Sequence, residues 1–357
     1  MSRRLGPNIA NILISALTHG IYAGDSAKLS IKSCFKSLYD YEKKYNSIIL
    51  GMLRTPKVEP DFNDICDGNL DRIEFIKAVQ RDASIYSLHG GMQELSDSLV
   101  DELKKRENVD LRLAVGCNSI EIDETLHVCP YVALVTPYNA PHMPFVQVNM
   151  ADSSTLQPAF LVSTLPAYSL LKILPTSIAA TVSPDILNIP YVNVAVINLI
   201  YNNPSILPLT GFGYLIPKTE NEVILGVIFD SCALPSPVSY TKLTVMIGGH
   251  HFNNPIFKGK QFTDAELTDI AIDGLKRHLG ITEKPNLIVS GVHKQCIPQY
   301  LVGHDERITR VKASLEEEWG RGRIVLSGAG LNGVGVGIND CIGNARDIAK
   351  RIVNRLR

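Results

Sequence analysis

The chain has 357 residues, 45% of them hydrophobic and 20% charged, with a formal net charge of −1. That length admits two domains or one large one. The near-neutral balance leaves no electrostatic footprint for nucleic acid or any other polyanion.

Taken in chain order, Ile9, Ile12, Leu13, Ala16 and Leu17 fall on one helical face, which reads as an internal helix rather than a targeting signal. Residues 1–55 read as two helices separated by a glycine turn around Gly20 and Gly24. The second carries an apolar and aromatic stripe (Phe35, Leu38, Tyr41, Tyr45, Ile48, Ile49, Met52), expected to pack inward. A surface loop over 56–68 precedes a short helix over 70–79. Residues 85–92 look like a strand entering a helix whose Leu95, Leu99 and Leu103 face inward. Strand character follows over 109–122, 132–148 and 160–164, and Pro166 opens another helix. The middle of the chain is mainly β, over 191–201, 213–216, 223–229 and 243–247. An amphipathic helix spans 264–278. This order suggests an interleaved two-domain protein, α/β at both ends and α+β in the middle.

The C-terminal segment is the most pointed. Residues 323–327 read as a buried strand, and residues 328–337 hold five glycines in ten positions. A helix then opens at Ile338, with Ile342, Ala345, Ala349, Ile352, Val353 and Leu356 at helical spacing. Gly328, Gly330 and Gly333 fit G-x-G-x-x-G, but that fingerprint needs a second parallel strand and an acidic residue about 20 positions on. The chain ends first. The turn therefore reads as the closing piece of a sheet, with a helix start aimed at a phosphate or at the carbonyl edge of a reduced flavin. A glycine-rich turn without a ligand is the alternative.

Other chemistry is thinly represented. Seven cysteines without a C-x-x-C pair argue for reduced thiols in an intracellular compartment. No apolar stretch approaches the roughly 18 residues of a membrane-spanning helix. There is no G-x-S-x-G and no H-E-x-x-H, and the nine histidines are dispersed. His250 and His251 are adjacent, so on a strand they point to opposite faces and cannot share a metal. Three apolar segments stay open between plain core and a wall for a flat ligand. Gly211-Phe212-Gly213 leaves an aromatic face free to stack, Met246 closes a strand with an adaptable side chain, and residues 293–300 form a proline-broken strand.

Six segments in order carry a resemblance: Arg3-Arg4-Leu5-Gly6-Pro7; Gly20-Ile21-Tyr22-Ala23-Gly24-Asp25 with the block from Leu29 to Phe35; Ser87-Leu88-His89-Gly90-Gly91; Gly211-Phe212-Gly213; residues 293–300; and residues 335–342. In these the chain resembles the protoporphyrinogen oxidases of the oxygen-dependent mitochondrial type, within the flavin amine oxidases. The resemblance implies an FAD enzyme of haem synthesis that oxidises protoporphyrinogen IX to protoporphyrin IX, with O2 reduced to H2O2. It implies an FAD/NAD(P)-binding amine-oxidase-like fold: a helical membrane- and substrate-facing region over 1–80, flavin-binding parts over 81–170 and 285–357, and a β-rich substrate domain over 171–284. Substrate-facing positions would be Gly20, Phe212, Leu215, Ile228, Met246 and Ile297. Val115, Val336, Gly337 and Ile338 would meet the cofactor. No catalytic acid or base and no metal is implied, since hydride removal needs alignment more than proton transfer.

The resemblance also implies peripheral association with the mitochondrial inner membrane, with the stripe in 31–53 a candidate contact, and leaves a homodimer open. Two departures matter. The family's first strand and phosphate-binding glycine turn precede Arg3-Arg4-Leu5-Gly6-Pro7 and are absent here, as is an arginine for a substrate propionate. The expectation is a chain corresponding to the C-terminal three-quarters of the family, folding poorly and binding FAD weakly or not at all. His19 stands where relatives often carry arginine. A different amine oxidase or carotenoid desaturase relative, and a non-catalytic remnant acting as an interaction protein, are the alternatives.

Overall fold

The computed structural model describes residues 2–56, 61–66, 68–82, 87–88, 90–123, 145–233, 239–253, 260–331 and 337–356. Expected strands over 85–86 and 132–144 lie outside the described residues. By its contacts the chain divides into Met1–Ile48 with Gly116–Arg357, and a smaller unit, Ile49–Val115. These units do not follow the four segments expected from sequence, because residues 1–48 pack with the sheets.

The larger unit is organised by a five-stranded antiparallel sheet in the order β6-β7-β8-β5-β9: β5 Tyr191–Tyr201, β6 Gly213–Leu215, β7 Ile224–Ile228, β8 Thr241–Gly248 and β9 Leu287–Pro298. Side chains alternate across a strand, so each strand gives one face to the core. Ala195, Ile197 and Leu199 of β5 and Leu243, Val245 and Ile247 of β8 are fully buried against Leu267, Ala271 and Leu275 of the helix Asp264–Leu279. Fully burying each such leucine or isoleucine contributes roughly 1.5–3 kcal/mol. That helix has explicit ends. Thr263 and Glu266 form a reciprocal capping box, acids occupy the first turn, Lys276, Arg277 and His278 the last, and Gly280 closes it in the left-handed region.

A second core joins the helices Ala167–Ile173, Thr176–Ile186 and His304–Lys312 to the parallel pair β4 (Leu161–Ser163) and β10 (Ile324–Leu326). Burial of β10 follows expectation: its three residues are 1–3% exposed. The free N–H of Leu326 is met by a buried carboxylate, Glu316 Oε1, at 2.7 Å. A separate antiparallel sheet runs β1-β2-β3, over Cys117–Asp123, Phe145–Met150 and Thr155–Leu156.

Four expectations change. Gly20 is not in a turn: the helix Ser15–Tyr22 runs through it and stops at Ala23, which has φ 49°. The stripe over 35–52 breaks at Asn46 (φ 52°) into Lys36–Tyr45 and Ile48–Arg54, and its apolar end is exposed, with Ile49 and Met52 both at 61%. In the smaller unit, helices span Phe62–Ile65, Leu70–Asp82 and Gln93–Lys104. Leu99 and Leu103 there point outward rather than inward. The C-terminal helix, Ile338–Leu356, begins where expected, but Ile338, Ile342, Val353 and Leu356 are all exposed. No helix among the described residues is long and apolar enough to cross a membrane.

Candidate functional site

The face of the five-stranded sheet opposite its core is only half covered, and it is here that most expected substrate positions meet. Residues opposite one another in antiparallel strands share a face. Leu215 pairs with Gly226, Gly226 with Met246 and Met246 with Val196, so this row crosses four strands on one side. The next row on the same side runs Gly213, Ile228, Thr244, Asn198. Ile297 of β9 pairs with Val192. Val196, Met246 and Ile297 together pack on buried Ala23, Val192, Val194 and Leu225. At its far end the face turns polar: Thr244 Oγ1 lies 2.7 Å from Asp230 Oδ2, and Lys242 Nζ 3.5 Å from Asp230 Oδ1.

Helix Ser15–Tyr22 lies on the β6 end of this face. A side chain at Gly20 would place its Cβ 2.8 Å from both terminal methyls of Leu215. Glycine is therefore what lets helix and strand approach. Phe212, 57% exposed, precedes β6 with its ring open and its carbonyl taken by Phe229 N–H at 3.0 Å. Sequence reasoning thus found a set that converges: Gly20, Leu215, Ile228, Met246 and Ile297 on one surface, with Phe212 at its rim.

The cofactor positions divide. Val336 lies outside the described residues, and Val115 belongs to the smaller unit. Gly337 and Ile338 open the C-terminal helix at exposed positions, Gly337 N donating to Asp340 Oδ2 at 3.3 Å. This start lies near a buried aromatic layer: burial is the main reason the Tyr22 and Tyr300 hydroxyls titrate late, and the Asp340 carboxylate adds to it at Tyr22. Tyr22 and Tyr300 pack with ring centroids 6.0 Å apart. The preceding glycines serve the protein itself. Gly328 (φ 89°) and Gly330 (φ 92°) are tight against Thr164 O and Tyr191 Oη, where an added Cβ would come within 2.7 and 2.5 Å. Gly337 and Ile338 thus form an exposed helix start beside apolar Ile342, chemistry that the ring end of a flavin could meet. The described glycines 328 and 330 do not form an open phosphate cradle.

Sequence reasoning missed a histidine cluster beside this face. β8 does not continue through His250 and His251. Gly248 (φ 102°) and Gly249 (φ 57°) turn it into a 3₁₀ turn, Gly249–Asn253, so the two imidazoles lie together, ring centroids 4.0 Å apart, instead of on opposite faces. His19 completes the group, its Nε2 2.9 Å from His250 Nε2. Burial first, then neighbouring imidazoles, hold His250 down to about 4 and His251 to about 3; burial also lowers His19. The Gly-Gly before the pair was the available signal.

Comparison with known proteins gives the family. A profile for flavin-containing amine oxidoreductases matches residues 2–353. The protoporphyrinogen oxidase of Bos taurus is 32% identical over 355 residues, and that of Homo sapiens 32% over 360, each alignment covering 98% of this chain and 67% of the relative. A crystal structure of an Exiguobacterium sp. 255-15 protein described as a protoporphyrinogen oxidase superposes with TM-score 0.68 at 20% identity, over 99% of this chain and 65% of that one. The chain spans about two thirds of the length of the relatives it matches.

Proposed function

Because the chain belongs to the flavin-containing amine oxidoreductases, and within them to the protoporphyrinogen oxidases, we propose that it serves FAD-dependent oxidation of protoporphyrinogen IX to protoporphyrin IX in haem synthesis. As a family member it is a flavoprotein of oxidoreductase type. When bound, FAD supplies the hydride acceptor, and O2 is our proposed terminal acceptor.

The observation that carries the reading is the half-covered apolar face built from Leu215, Ile228, Met246 and Ile297 beneath the Gly20 helix. A porphyrinogen is a broad, greasy ring system bearing carboxylates. Such a face removes apolar ring surface from water at roughly 25 cal/mol per Å², while Lys242 at its polar end, ion-paired with Asp230, would exchange that partner for a propionate. The chain's own residues bind and orient; among the described residues no acid–base pair is assigned a proton transfer. Gly337 and Ile338 would meet the electron-rich edge of the flavin ring at this helix start, where the Gly337 N–H is otherwise held by Asp340 Oδ2. With this surface open, flavin binding by the chain alone is proposed to be weak.

Peripheral association with the mitochondrial inner membrane is part of the proposal, supported by exposed Ile12 (53%) and Leu13 (63%) on the N-terminal helical segment. A homodimer is included and is read by sedimentation equilibrium. Titration of protein with protoporphyrin IX, followed by porphyrin fluorescence, tests the face directly. Saturable binding that Met246→Asp abolishes supports the reading; binding unaltered by that change places the tetrapyrrole elsewhere.

A further inference from the structure

We propose that His19, His250 and His251 form a binding site for a borderline divalent transition metal, with zinc the ion that suits it. The three imidazoles come from two distant parts of the chain, and one ring nitrogen of each lies within 4.8 Å of the others. A tetrahedral zinc with Zn–N bonds of about 2.0–2.1 Å sets its nitrogens roughly 3.3 Å apart. Small side-chain rotations therefore bring the group to ligating distance.

Four features fit ligation, with the 2.9 Å approach of His19 Nε2 and His250 Nε2 the contact a metal would replace. First, Ile216 O can only accept, so its 2.6 Å contact fixes the proton of His19 on Nδ1 and leaves the Nε2 lone pair facing the cluster. A carbonyl bound to the outer ring nitrogen is the usual orienting partner of a metal-ligating histidine. Second, His251 is only 8% exposed and its Nε2 has no hydrogen-bond partner. A buried imidazole nitrogen left unpaired costs roughly 1–3 kcal/mol, a cost that a metal bond would remove. Third, the backbone holds the ligands in place. His250 N donates to Ala23 O at 2.8 Å, and Gly249 sits so close to Ala23 that a Cβ would come within 2.2 Å of that carbonyl. Fourth, the site is reachable: half-buried His250 gives access from solvent to the buried pair behind it.

A metal here would tie the end of helix Ser15–Tyr22 to the turn after β8, directly beside Gly20 and the apolar face. The inference stands on side chains alone and does not depend on the flavin or the substrate.

The test uses the full chain, freed of metal by chelation and then titrated with Zn2+ or with Co2+ as a spectroscopic probe. One equivalent bound is expected, with the visible cobalt bands of nitrogen and oxygen ligation and no thiolate-to-cobalt charge transfer, which excludes Cys34 or Cys296 as the site. His251→Ala and His250→Gln should each weaken uptake at least about 10-fold, while His293→Ala, at an exposed position, should leave it unchanged. Zinc should also raise the melting temperature of the wild-type chain and not of the two variants. Half-exposed His250 keeps the test available if the buried His251 variant fails to fold. Absence of stoichiometric uptake by the wild-type chain, uptake unchanged in both variants, or cobalt bands of thiolate type would overturn the proposal.

Discussion

Two glycines at the junction between the His19 helix and the sheet should respond differently to the same added methyl. At Gly249 the backbone is left-handed (φ 57°), and an added Cβ would meet Ala23 O at 2.2 Å and Ala23 Cβ at 2.7 Å. The conformation alone costs an alanine roughly 1–2 kcal/mol. Relieving the collision pushes Ala23 O away from His250 N, a 2.8 Å bond whose loss costs roughly 0.5–1.5 kcal/mol more. The sum for Gly249→Ala is about 1.5–3.5 kcal/mol. At Gly20 the colliding atoms are instead the two ends of Leu215, 2.8 Å away, on a side chain 43% exposed and free to swing. Displacing that rotamer costs roughly 0.5–1.5 kcal/mol. Replacing a helical glycine by alanine returns about 1 kcal/mol. Gly20→Ala should therefore be near neutral in stability, yet it drives Leu215 onto the apolar face and should weaken tetrapyrrole binding. Urea unfolding followed by circular dichroism, paired with porphyrin titration, separates the two effects. Equal destabilisation by both substitutions, or a larger loss at Gly20, would refute the packing argument.

Three further outcomes follow from the same structure. His304 is fully buried, stacked on Tyr300 at 4.4 Å, and burial, ahead of repulsion from Arg307, holds it down to about 4. An unfolded histidine takes its proton near 6.5, so this residue costs nothing above that pH and destabilises progressively as pH falls toward 4, by about 3 kcal/mol in all. The pH slope of unfolding free energy between those limits should shrink in His304→Phe, and an identical slope would count against burial as the cause. Glu316→Leu should cost roughly 1–3 kcal/mol by stranding the Leu326 N–H, whereas Glu317→Leu, its neighbour on the same turn, should be tolerated; equal losses by thermal melting would contradict the assignment. Ile12→Ser with Leu13→Ser should reduce co-sedimentation with anionic vesicles without lowering the melting temperature, since both side chains are exposed.

Sequence periodicity served where one strong local signal agreed with its surroundings. The central strand Tyr191–Tyr201 is an apolar, β-branched run, and the helix Asp264–Leu279 carries a capping box, an apolar stripe and a closing glycine. Their boundaries follow directly. Helix Thr176–Ile186 was hidden because Pro184 lies inside it, although Pro175 stands at its start as Pro166 does at the helix before. Apolar stripes say that a face seeks cover, not that the fold supplies it, so Met52 and Ile342 were legible as apolar and not as exposed. Convergence of Leu215, Ile228, Met246 and Ile297 depends on strand register and order, which no local pattern encodes; resemblance to a family supplied it. The histidine cluster failed for a simpler reason. Alternation holds only while the strand lasts, and two positive-φ glycines end β8 before His250.

Protoporphyrinogen IX oxidation in air, followed by porphyrin fluorescence while free FAD is varied, tests the central claim most directly. The account predicts a rate above the protein-free control that requires FAD and saturates only well beyond stoichiometric flavin, and that falls when Met246 is replaced by Asp. A rate indistinguishable from autoxidation at every FAD concentration, in folded protein, would contradict it.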